Sequence, residues 1–307
     1  RGVSGPLAPD QGPSWYVWKL AQPTFWTHAT AWGFYFLHQV TIWGLIYYAQ
    51  TRVKKVSKSI HTVNIVALLA NAFFVLLHFA QTHIWYDGLA QDVSIWSSMG
   101  SVVVVLVWIL LMENPRRGLA FGKKVPFSKS LIRFARKYHG YYFSWAIIYT
   151  FWYHPMENTN GHLLGFLYTF LLLVQGSLFL TRIHMNKWWT VTLECIVLIH
   201  GVLVALAQPH NMSAMFAFGF GGIFIITQMH GLALSVVQRW VCLAVYIGGV
   251  LWAYSSKGYT YIHEVLRIPL IEYLAVFLLA GILMGVMWVL SLFNKGETNQ
   301  QPQESAG

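Results

Sequence analysis

Nine stretches of mostly apolar residues follow one another along this chain with little between them. A helix needs roughly 20 such residues to cross a hydrocarbon core of about 30 Å. The stretches lie near 28–50, 60–85, 93–112, 138–155, 162–182, 188–207, 213–235, 239–256 and 270–293. The expected fold is therefore all-α, a polytopic integral membrane bundle of about nine transmembrane helices. A content of 56% hydrophobic and 10% charged residues agrees, because it lies outside the range of soluble domains. The eighth stretch is the least distinct. Only Val236, Val237 and Gln238 separate it from the seventh, so the two form either a tight hairpin or one long broken helix.

Lys and Arg crowd cytoplasmic loops in membrane proteins, which gives the map an orientation. With the N-terminus outside and the C-terminus cytoplasmic, 16 of the 20 Lys and Arg residues fall on the cytoplasmic side, and only Arg1, Lys19, Lys257 and Arg267 lie outside. The formal charge of +10 is thus read as a topology signal, not as a nucleic-acid surface. Residues 1–27 read as an outer segment rich in Pro and aromatics, 28–293 as the transmembrane domain, and 294–307 as a disordered cytoplasmic tail. Between the third and fourth stretches, the basic loop 113–137 lies against anionic headgroups. Residue 1 is Arg, so an initiator segment or a cleaved signal peptide can precede it. Cys195 and Cys242 sit in apolar runs and read as small buried hydrophobes.

Polar groups inside a membrane are costly and must find a partner or face a cavity. Here they are mainly histidines, 13 in all. Sorted by depth, they gather at two levels, as two b-type haems held by paired imidazoles would require. The expected outer ligands are His78 and His154, and the expected inner ones His139 and His230, with His184 as an alternative inner partner. Helical phase at about 100° per residue supports His139 and His154 on one helix better than His61 and His78 on another. The favoured function is a membrane redox protein, in the oxidoreductase class, that exchanges electrons with a quinone or a redox partner protein. It would sit in a plasma or inner membrane, as an oligomer or as a subunit of a complex.

Two rivals belong to other classes. His83, His154, Glu157, His162 and His210 could build an outward-facing site for zinc, copper or iron. The HExxH motif and the histidine clusters of membrane desaturases are absent. Alternatively, Glu194 and His200, with His230, Gln175 and Gln228 as neighbours, could relay protons in a proton-coupled transporter or channel.

Overall fold

The computed structural model describes residues 5–12, 15–206 and 212–298, with side chains described as far as Phe293. Among these residues the fold is all-α, with nine α-helices. They are α1 (Phe25–Tyr48), α2 (Thr62–Ile84), α3 (Ile95–Arg117), α4 (Lys129–Tyr153), α5 (Asn160–Ser177), α6 (Lys187–Leu206), α7 (Ser213–Ile226), α8 (Val236–Lys257) and α9 (Arg267–Thr298). Hydroxyl side chains start many of them. Ser128, Thr159 and Ser235 each accept a backbone N–H from the first turn of their helix, which satisfies donors that have no partner within the helix. Ser235 also settles the seventh and eighth stretches as separate helices, because α8 begins at this cap after a short 3-10 turn, Gln228–Gly231.

Six segments are long and apolar enough to cross a membrane: α2, α3, α6, α8, α7 with its 3-10 turn, and α9 with the 3-10 segment Tyr259–Leu266 before it. The other three carry more polar and aromatic residues. The first third of α4 alone holds Lys129, Arg133, Arg136 and Lys137. The outward faces of α8 and α9 are apolar, with Val237, Val241, Val245, Leu274, Leu278 and Ile282 exposed. Such faces suit contact with lipid hydrocarbon. α9 runs on to Thr298, so the polar tail begins within a helix and its remainder lies outside the described residues.

α4 is shared by two packed groups. In the first, α1, α2, α4 and α5 enclose Tyr35, Ile42, Phe74, Phe151, Trp152 and Phe166. In the second, α3, α4, α7 and α9 enclose Val107, Leu111, Leu131, Ala135, Ile223 and Val276. Within the first group one chain of hydrogen bonds visits all four helices. Trp152 Nε1–H of α4 donates to His38 Nδ1 of α1 at 3.2 Å. His38 Nε2 then carries the proton and donates to Asn71 Oδ1 of α2 at 2.8 Å. Asn71 Nδ2 donates to Ser177 Oγ of α5 at 2.8 Å, and that hydroxyl donates to the Leu173 carbonyl at 2.8 Å. An indole can only donate, so its bond to Nδ1 dictates the tautomer of His38 and every direction after it.

The basic loop is pinned rather than free. Asn114 mimics a backbone pair, accepting from Val125 N–H at 3.0 Å and donating to the Val125 carbonyl at 2.8 Å. Phe121 N–H donates to the carbonyl of Ile226 at 2.7 Å.

Replacing Asn71 by Val would leave both the His38 N–H and the Ser177 hydroxyl without this buried partner. A loss of about 1–3 kcal/mol is expected, read as a lower unfolding temperature of the detergent-solubilised protein.

Candidate functional site

At one end of the bundle the N-terminal segment lies across the α2–α3 and α4–α5 turns. Leu7 and Leu20 pair as a short antiparallel bridge, and Leu20 N–H donates to Asp87 Oδ2 at 3.0 Å. Asp87 Oδ1 accepts from Gly88 N–H at 2.9 Å. Gly88 is required here, since a Cβ would lie 2.6 Å from the Trp152 carbonyl oxygen and 2.7 Å from that of Tyr153. The same segment inserts Tyr16, whose hydroxyl bridges His154 Nδ1 and His162 Nε2 at 3.0 Å each. Thr159 Oγ1 engages the other nitrogen of His162 at 2.7 Å. His200 packs against Gly165 and lies near enough to His154 and His162 for electrostatic interaction.

These contacts sort the expected ligands. His78 Nε2–H donates to the backbone carbonyl of His154 at 2.8 Å, while its Nδ1 is buried with no hydrogen-bond partner among the described residues. Its ring centroid lies 4.3 Å from that of Trp152 and 4.9 Å from that of Phe151. His83 is exposed, donates to the Phe79 carbonyl of its own helix and covers the Phe79 ring. Glu157 accepts from the Tyr86 hydroxyl at 2.7 Å. His210 lies outside the described residues. Among the described residues no group of three or more His, Cys, Asp or Glu side chains is placed to hold a metal ion. Of the expected outward-facing set, Tyr16 lies between His154 and His162, and the His83 ring covers Phe79 of its own helix.

At the opposite end, His139 pairs with His184 rather than with His230, their ring centroids 6.1 Å apart. His139 Nδ1–H donates to the Arg136 carbonyl at 2.7 Å, and His184 Nδ1–H to that of Gln175 at 2.9 Å. Neither Nε2 has a hydrogen-bond partner among the described residues. His230 instead packs over Phe121 and Gly122, with its Nε2 buried and unpartnered among the described residues.

Glu194 belongs to a third group. Arg117, the last residue of α3, donates to both oxygens of Glu194 on α6, at 3.0 and 2.9 Å. The pair is buried, with the side chains 0% and 6% exposed. Gln228 Nε2–H donates to Glu194 Oε2 at 2.9 Å. Gln175, the other amide expected beside Glu194, is occupied elsewhere by Trp189 and His184. A cavity of about 30 Å³ opens beside Glu194, lined also by Cys195, Phe220, Ile223, Gln228 and Glu272. That is room for a water molecule. Glu272 of α9 is buried and has no ion pair or hydrogen bond among the described residues. His200 lies near His154 and His162 and is not among the residues that line the cavity beside Glu194.

Three residues of these groups were not among those expected. Arg117 reads in the sequence as one more cytoplasmic charge beside Arg116. Glu272 carried a usable signal, an acid inside the apolar run Ile268–Leu279, the same kind of signal that marks Glu194. Tyr16 sits among interfacial aromatics and carried none. No protein family, curated relative or solved structure matches the chain.

Burial pushes the Asp87 carboxyl up to about 6 from 3.8, against the opposing pull of the Leu20 and Gly88 N–H groups and of Lys19. The folded form thus holds this proton more tightly than the unfolded chain. Stability is greatest below pH 3.8 as far as Asp87 is concerned, and roughly 3 kcal/mol is lost as pH rises through about 6. The unfolding temperature of the detergent-solubilised protein is expected to fall over that interval, and Asp87→Asn to flatten the dependence.

Proposed function

We propose that this is a multi-pass protein of a plasma or inner membrane that couples transport to proton movement through Glu194 and Glu272. One observation supports this reading above the others: two carboxyl groups share a small cavity enclosed by four membrane-capable segments, and only one of them has a counterion. A carboxylate left unpaired in so apolar a setting costs several kcal/mol. Arg117 neutralises Glu194; a proton is the smallest partner that can neutralise Glu272. Gln228 holds the second oxygen of Glu194, so the pair keeps its geometry as the proton arrives or leaves.

The test is proton flux into liposomes bearing the purified protein under an imposed potential. Glu272→Gln is expected to cut flux at least tenfold and Glu272→Asp to restore part of it. Unchanged flux in Glu272→Gln would overturn the reading.

A second reading keeps the b-type haem at the His139–His184 pair. A metal–imidazole bond of about 2 Å on each side of an ion sets two ring centroids roughly 6 Å apart, close to the separation here. Ligating histidines usually donate their second N–H to a carbonyl, as both of these do. A haem there would supply one-electron chemistry towards a quinone or a redox partner protein. Purified protein should then show reduced Soret and α bands that vanish in His139→Ala and His184→Ala; a spectrum without them removes the haem.

A further inference from the structure

An open cleft of about 600 Å³ lies between the end of α1 and the first half of α4. Its walls are Trp43 and Tyr47 on one side and Tyr138 and Tyr141 on the other, with Gln50 and Lys137 at one end. The frame of the cleft is internally bonded. Trp43 Nε1–H donates to the Tyr141 carbonyl at 2.9 Å, and Gln50 Nε2–H to the Lys137 carbonyl at 2.9 Å. The Tyr141 hydroxyl donates to Gln50 Oε1 at 3.3 Å. Lys137 stands apart: its ammonium lies 5.0 Å from the Tyr138 ring centre and has no carboxylate partner among the described residues.

Both walls change character at the same level. α1 is apolar and aromatic until Thr51, after which come Arg52, Lys54, Lys55 and Lys58. α4 carries Lys129, Arg133, Arg136 and Lys137, then turns aromatic from Tyr138 onward. No Asp or Glu occurs between Phe25 and Tyr86, or between Asn114 and Met156. The positive charge around the cleft is therefore not balanced by acids from either wall. A basic rim over an aromatic floor, at the level where basic and aromatic sequence meet on both walls, matches the chemistry of an anionic headgroup above its acyl chains. The volume lies within the range of pockets that enclose small ligands.

We propose that this cleft is a binding site for one anionic phospholipid, with its phosphate against Lys137 and its chains along Trp43 and Tyr141. The site is independent of the proton and haem readings, as it uses none of their residues.

The experiment is native mass spectrometry of the delipidated full chain in detergent, with equimolar phosphatidylglycerol and phosphatidylcholine of the same acyl composition. One retained phosphatidylglycerol, favoured about tenfold over phosphatidylcholine, is expected. Lys137→Gln should abolish the preference, and Lys124→Gln, which removes a charge outside the cleft, should leave it. Equal retention of the two lipids, or equal loss of preference in both variants, would overturn the proposal. Because Lys137→Gln removes only an exposed charge, Trp43→Leu gives a second check: it should weaken retention of both lipids while the protein still elutes as a single species.

Discussion

The hydrogen-bonded chain from Trp152 through His38 and Asn71 to Ser177 is the constraint around which the first helix group is arranged. Each partner comes from a different helix, and each bond direction follows from the one before. Within a membrane no hydrophobic driving force favours one helix rotation over another, so polar contacts and close packing have to select it. Here the selection is strict. Turning α2 by one residue would carry Asn71 away from His38 and leave a buried imidazole N–H without an acceptor. Once α4 is oriented by Trp152, its other face is oriented too, and that face builds the second group with α3, α7 and α9.

The second group bears the opposite kind of polar feature. The first chain is neutral and closed, whereas the Arg117, Glu194 and Glu272 set is charged and incomplete. An ion pair buried this far needs all its hydrogen bonds to offset desolvation, and Glu194 obtains them from Arg117 and Gln228. Glu272 obtains none among the described residues.

The amino-acid sequence made the helices legible because apolar run length is a local property. Most of the nine expected stretches begin and end within a few residues of the observed helices. Three of these helices are too polar or too aromatic to count as membrane-capable on their own, so the number of crossings rests on packing that run length does not report. Part of the grouping of histidines was also legible, since His154 lies near His162 and His139 near a second imidazole. Partner identity was not, because helix rotation and loop paths decide it. His78 turned towards a carbonyl, His83 towards its own helix, and His139 found His184 rather than His230. Arg117 was hidden by its position among topology-setting charges, although it is the most enclosed cation of the set.

Asp87 and Tyr16 join parts of the chain that are made at very different times. The ribosome releases Tyr16 early, yet the histidines that hold its hydroxyl are 138 and 146 residues downstream. Leu20 waits for Asp87, 67 residues later. This segment is synthesised before all of these partners, and it is therefore among the last to find its place. Until α4 and the start of α5 have been delivered, the end of the bundle that this segment covers stays open. Removing the segment would leave the helices their own contacts but take away the piece that closes the assembly.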